Sequence, residues 1–383
     1  WPRTMILPPL RDPFFTYRFR RPLHVVRILV ALAATYLIIH LFEIPHSSWA
    51  LVSAVMVMGN LPHIGGVLDK GHQRLLGTLL GAGTGLSFIM LPPTGSPLIP
   101  LGSLLAIGIA TWLTFSNRHG YSGLMFVISL LLVMGDGSHE LDIALWRALN
   151  VLLGTLAGIL VTLLVLPQKA TDMMRFMLAE NLERMASLFH AHTTASTSMD
   201  LDTQALLKAT SSALVKQRGL VDAIHREGRL RRNELDDIIS LQRRMLSTIE
   251  LLLETRWTTR DGHDRIEAMT GLGEEQHRLA RELDALAFQV RTGQDIVVTV
   301  SQFDLQQHAE LATTARNASG RVLFSPSGYL WLNRELARLT ARLVLRLGGL
   351  SRLPSRRLRR ASGRKWGLRA SANKGAEDAS RKP

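Results

Sequence analysis

Arg74-Leu75-Leu76-Gly77-Thr78-Leu79-Leu80-Gly81 is the stretch whose reading decides the fold. It opens a run, Leu75 to Asn117, without one charged residue. Much of it returns as Val151-Leu152-Leu153-Gly154-Thr155-Leu156-Ala157-Gly158, and Ser53-Ala-Val-Met-Val57-Met58-Gly59-Asn60 returns as Ser129-Leu-Leu-Leu-Val133-Met134-Gly135-Asp136. Gly59 and Gly135 stand 76 positions apart, Gly77 and Gly154 stand 77 apart. Two separate matches at nearly one offset indicate a duplicated unit. Gly77, Gly81 and Gly85 recur every fourth residue and so line one helix face, where a neighbouring backbone can approach closely, a main source of helix association in lipid. Apolar, glycine-rich copies of this kind predict membrane helices arranged as two related halves.

Working outward, the chain of 383 residues is 46% hydrophobic with a net charge of +14. Its mean hydropathy of +0.12 hides a division at Pro167: long apolar runs precede it, and charge-interleaved sequence follows. There is no cysteine, which excludes disulfides and thiolate metal sites. From Gly349 to Pro383 eleven Lys/Arg face two Asp/Glu, so nine of the fourteen charges lie in the tail. The expected organisation is a basic, Pro-rich cytoplasmic arm (1–22), a transmembrane domain (23–167), a cytoplasmic helical domain (168–348) and a basic, disordered tail (349–383). The chain begins at Trp1 rather than Met, so the native N-terminus is expected upstream.

Six apolar segments are predicted: Leu23–Phe42, Ser47–Asn60, Leu75–Leu91, Leu98–Phe115, Tyr121–Gly135 and Ile143–Leu166. A polar loop carrying Asp69, Lys70, His72 and Arg74 precedes the third, and a short amphipathic helix is expected around Phe14–Phe19. The second and fifth segments fall short of the ~20 residues that a membrane helix usually needs. Lys and Arg occupy the N-terminal arm, the loop around Lys70 and Arg74, the loop at Arg118 and everything after Lys169; the alternate loops Glu43–His46, Pro92–Pro97 and Asp136–Asp142 have none. That alternation predicts six spans with both termini cytoplasmic. Three spans per copy is an odd number, so the halves are expected in inverted orientation, a common transporter architecture. The fold class is therefore all-α: a polytopic membrane protein with six transmembrane helices as two three-helix repeats, plus a cytoplasmic helical bundle.

Beyond Pro167, apolar residues recur at three-and-four spacing near Ala170–His190, Thr203–Arg226, Asn233–Arg256 and Asp264–Arg291, with Asn233 and Asp264 as candidate caps and a last helix at Tyr329–Leu347. Arg356-Arg357-Leu358-Arg359-Arg360 suits anionic lipid headgroups; nucleic acid is not an expected partner of a polytopic membrane protein.

Trp49-Ala50-Leu51, followed after a loop by Gly71-His-Gln-Arg74-Leu-Leu-Gly77-Thr78-Leu-Leu-Gly81, resembles the fusaric acid resistance / aromatic acid exporter family. The resemblance covers about residues 20–200 and rests on the Arg-x-x-Gly-Thr-x-x-Gly element with its upstream Trp. It implies inner-membrane export of aromatic carboxylic or related organic acids driven by the proton gradient, with a periplasmic adaptor protein. Many members resemble two such units in one chain; this chain has one, which implies a homodimer. Plant malate channels look distantly similar, which keeps a passive anion pathway open as the alternative to a pump, with a non-transporting membrane anchor as a third function.

Ionisable residues inside membrane segments mark functional sites by default. A guanidinium can grip a carboxylate with two hydrogen bonds, so Arg74, Arg147 and Arg27 are candidate substrate contacts. Arg74 and Arg27 would otherwise snorkel to headgroups, and Arg147 would otherwise pair with Asp136, Glu140 or Asp142. Short, broken segments at matched places in two halves point to a transport site, which adds Asn60 and Asp136; Asp136 either carries a proton or sits in a solvated acidic loop. Trp49 and Trp112 could stack on an aromatic substrate or anchor at the interface. Thr78 and Thr155 bond a substrate or another helix, or simply pack. His40 is a proton-relay candidate or an interfacial residue. His190 and His192 fall on different helix faces, and no metal site, cofactor site, Ser/His/Asp set or phosphate-binding glycine loop is present in the sequence pattern. An enzyme is not expected.

Overall fold

The computed structural model describes residues 13–59, 63–91, 98–115, 119–134, 141–193, 202–228, 230–254, 271–303 and 326–351. Among these residues every regular element is a helix. The chain divides into two compact units, Trp1–Met173 and Met174–Pro383.

The first unit holds α1 (Pro13–Arg18), α2 (Arg20–Leu41), α3 (Ser48–Met58), α4 (Ile64–Ile89), α5 (Leu98–Thr114), α6 (Gly120–Met134) and α7 (Leu141–Leu164). Each stop has a local cause. Pro45 follows α2, flanked by Glu43 and His46 at positive φ. Gly59, at φ +45°, ends α3 while its N–H still bonds Val55 O. Leu166 turns at φ +47° just before Pro167.

By length and composition, α2 and the Leu145–Leu164 part of α7 could cross a membrane. The apolar helices α3 and α6 have only 11 and 15 residues, about 16 and 22 Å at 1.5 Å per residue. Leu101, Leu104, Leu105 and Ile109 of α5 point outward and are exposed, a surface suited to lipid rather than water.

One sequence expectation fails here. The polar stretch Asp69–Arg74 is not a loop but the second turn and beyond of α4. His63 starts this helix, its Nδ1 accepting from Gly66 N at 3.0 Å, and Gln73 donates to Asp69 across one turn at 3.0 Å. Hydropathy marks where apolar surface begins, whereas the helix begins where the backbone amides are first capped.

Within this unit α4 packs most extensively on α6, and α7 on α3. Both crossings depend on glycine. A Cβ at Gly81 would stand 2.3 Å from Phe126 O, and one at Gly154 would stand 1.9 Å from Ala50 O. The glycine-rich helix of each sequence copy thus lies against the short helix of the other copy.

The second unit contains most of α8 (Ala170–Thr193), with α9 (Thr203–Arg226), α10 (Arg232–Glu254), α11 (Leu272–Thr292) and α12 (Pro326–Ser351). Apolar residues at helical spacing, such as Leu235, Ile238, Ile239, Met245, Ile249 and Leu252 of α10, face inward. Two buried polar ladders cross this core. Asn181 and Gln217 both bond Gln242, and Gln276 bonds Tyr329 and Asn333. Asp202 caps α9 through Ala205 N. Asn233 is not a cap: α10 already includes Arg232, and Glu234 accepts from Arg231 N instead. The fourth helix of this half begins at Leu272, behind Gly271 at φ +90°; Asp264 and the tail arginines Arg356–Arg360 lie outside the described residues.

Candidate functional site

The buried face of α4 reads Gly71, Arg74, Gly77, Thr78, Gly81 and Gly85. Because Gly77 and Gly81 bring α6 to backbone distance, an arginine one turn earlier cannot swing to the surface, and Arg74 is 3% exposed. Its partners come from two short helices. Nη2 donates to Ser53 Oγ of α3 at 3.0 Å. Nη1 donates to Tyr121 Oη and Met125 Sδ of α6 at 3.1 and 3.0 Å, with Met56 Sδ farther off at 3.8 Å.

All of these partners are neutral. No carboxylate among the described residues reaches salt-bridge distance of Arg74. Nε of Arg74 is buried without a hydrogen-bond partner, as is Oγ1 of Thr78 one turn along the same helix. Burying an ion costs several kcal/mol, and hydroxyls and thioethers do not cancel a charge. The arrangement therefore presents a fixed positive charge, a spare guanidinium N–H and a spare hydroxyl, the groups that would receive a carboxylate.

More positive charge gathers at the end of α3. Lys70 Nζ stands over the Tyr121 ring, 5.7 Å from its centroid, and would lie 3.1 Å from a Cβ at Gly59. His24 Nε2 is 2.7 Å from Gly59 O, fastening α2 to the helix terminus. The negative end of the α3 dipole favours cations here.

The other sequence candidates are dispersed. Arg147 Nη1 donates to Leu132 O at 2.8 Å, near the end of α6. Thr155 donates within its own helix to Val151 O at 2.7 Å. Trp49 is half-buried, and Trp112 is 79% exposed. His40 is exposed and stacks on Tyr36. Arg27 is wholly buried on the α2 face that also carries Leu23, Ala31 and Thr35. Asn60, Asp136 and Glu140 lie outside the described residues. Among the described residues no group of three His, Cys, Asp or Glu could hold a metal ion.

Sequence reasoning missed Ser53, Tyr121, Met125, Lys70 and His24. Ser53 opens a matched repeat segment and Tyr121 begins the fifth apolar run, which are the only signals that could have drawn attention to them.

The model of the fusaric acid resistance protein family matches residues 21–374. The chain belongs to that family. It is 30% identical over 324 residues to inner membrane protein YeeA of Escherichia coli (strain K12), covering 84% of this chain and 92% of that protein. Aluminum-activated malate transporter 7 of Arabidopsis thaliana is 25% identical over 179 residues, 44% of this chain and 35% of its own length. The p-hydroxybenzoic acid efflux pump subunit AaeB of Edwardsiella ictaluri (strain 93-146) is 28% identical over 167 residues, 39% of this chain and 24% of that protein. The chain thus spans nearly all of the first relative and about a third and a quarter of the other two. It is a membrane protein of a transporter and efflux family.

Proposed function

We propose that this protein is an inner-membrane secondary transporter that exports small organic anions, aromatic carboxylic acids above all, at the expense of the proton gradient. The observation that carries the reading is Arg74: a buried guanidinium with only neutral partners and an unpartnered Nε–H. A substrate carboxylate would supply the missing charge, with Thr78 as second donor and Lys70 drawing anions toward the end of α3. Met56, Met125 and the Tyr121 ring offer soft apolar walls beside the charge, which suits a ring next to a carboxylate.

In this reading α2 to α7 form six spans as two inverted three-helix repeats, both termini lie in the cytoplasm, and residues 168–348 are a cytoplasmic helical domain. The exchanged packing of the two sequence copies supports the repeat. The similarity to a pump subunit supports a partner protein, such as a periplasmic adaptor, and a homodimer is part of the same reading. Asp136 and His40 are the candidates for proton coupling, with Arg147, Asn60, Trp49 and Thr155 as further solute contacts. A passive anion pathway is the second reading, favoured by the absence, among the described residues, of a titratable carboxylate beside Arg74.

Flux of aromatic acids into proteoliposomes, with and without an imposed proton gradient, tests this function. Uphill, gradient-dependent movement is expected. Strictly downhill movement would convert the reading to the passive pathway, and no flux across a broad acid panel would leave a membrane anchor.

A further inference from the structure

The outward face of α12 carries a surface that transport chemistry does not use. Arg334, Arg338, Arg342 and Arg346 recur every fourth residue and are all exposed. At ~100° per residue they share an arc of about 120° with Trp331 and Leu345, which are 56% and 75% exposed. The opposite face, with Leu332, Leu336, Leu339 and Leu343, is buried in the second unit. Fold stability therefore needs the buried face and leaves the arginine face unexplained.

The ion pairs do not consume it. Arg338 bonds Glu335 at 2.7 Å and Arg346 reaches Asp237 at 3.3 Å. Arg334 and Arg342 have no carboxylate within 4.0 Å among the described residues. Beside Arg342 a groove between α10 and α12 opens on the same face, lined by Ser240, Leu241, Arg244, Leu345 and Arg346, with Asp237 its one acidic residue. Guanidinium groups with an exposed Trp and Leu between them are the composition of a helix face that lies on an anionic bilayer surface. Phosphodiester headgroups match guanidinium forks in charge and geometry. The chain continues from this helix into a stretch with eleven Lys/Arg against two Asp/Glu, and basic groups near an anionic membrane surface are attracted to it.

We infer that the Trp331–Arg346 face of α12 is a docking surface for anionic phospholipid headgroups of the membrane in which the protein resides. The surface is independent of whether Arg74 binds an anion.

The chain lacks cysteine, so Leu345→Cys gives one labelling site on the full-length protein. An environment-sensitive nitrobenzoxadiazole label there is read in nanodiscs of phosphatidylcholine alone and of phosphatidylcholine with phosphatidylglycerol. A blue shift is expected in the phosphatidylglycerol discs, lost at raised salt and lost in the Arg334→Gln/Arg342→Gln variant, which leaves the Glu335 and Asp237 pairs intact. Arg334→Lys/Arg342→Lys, with the same charge, should keep most of the shift. Equal emission in the two kinds of disc overturns the inference. A shift produced in phosphatidylcholine discs by soluble glycerol phosphate overturns it in favour of a free-anion site, and one produced there by RNA overturns it in favour of a nucleic-acid surface.

Discussion

Arg74 is held by Ser53, Tyr121 and two methionines, none of which carries charge. Replacing a buried ion by an apolar side chain of similar length is often neutral or stabilising for a fold. Arg74→Met is therefore expected to keep or raise the melting temperature in detergent while abolishing anion flux; a variant that melts well below the parent would assign Arg74 to structure. Thr78 has a spare hydroxyl one turn away, so Thr78→Val should weaken substrate affinity about three- to tenfold, the scale of one hydrogen bond, with unchanged yield, as read from the substrate dependence of flux. The sequence made Arg74 conspicuous because it is a charge bordering a 43-residue uncharged run. It did not reveal Ser53, Tyr121, Met125 or His24, because these come from three other helices and spacing along one helix does not say which others meet it.

At the scale of elements, glycine decides what packs on what. Gly154→Val should separate α7 from α3, since even a Cβ would sit 1.9 Å from Ala50 O; overpacking of this kind costs about 1–3 kcal/mol or more. Gly83→Ala is the matched control, with nothing within 4 Å of its added methyl. Thermal melting of the two purified variants should separate them clearly, and equal melting would remove the close-approach argument. The glycine spacing was legible as a contact face, but not its partner: that α4 lies on α6 and α7 on α3 emerges only in three dimensions. Helix starts were less legible than helix faces, as Asp69–Arg74 shows, because a helical turn satisfies polar side chains as well as a loop does. In the second unit, Arg338 beside Glu335, helped by Arg244 and opposed by burial, holds that carboxyl below the usual glutamate range. A depressed carboxylate stabilises the fold above its unfolded pKa of ~4.3, and that contribution disappears as pH falls through the lower folded value. Protection of the α10 and α12 amides against hydrogen exchange, taken relative to their intrinsic rates, should accordingly fall with acidification below about pH 4.3, and Glu335→Gln should flatten the dependence; an identical profile in the variant would contradict the assignment.

For the whole molecule, the solute pathway we propose lies where two short helices, α3 and α6, meet the glycine-rich helices α4 and α7, a placement supported by the matched sequence segments, their exchanged packing and membership of a membrane family. Single cysteines at Lys70 and Asp136 should be labelled by an impermeant thiol reagent from the cytoplasmic and periplasmic sides respectively, as inverted halves require; labelling from one side would refute the inversion. The division into an apolar and a charge-interleaved half was readable from hydropathy alone. The exporter family was readable too, from the Arg-x-x-Gly-Thr-x-x-Gly element and its upstream Trp49; that Arg74 has only neutral partners was not, because only the fold shows what surrounds a charge. The role proposed for Arg74 is tested most directly by equilibrium binding of radiolabelled p-hydroxybenzoate to purified parent protein and to Arg74→Gln of equal thermal stability. A charge-assisted hydrogen bond of ~1.5–3 kcal/mol predicts affinity lower by about 10- to 100-fold in the variant. Equal affinity in the two proteins would contradict the assignment of Arg74 as the anion contact.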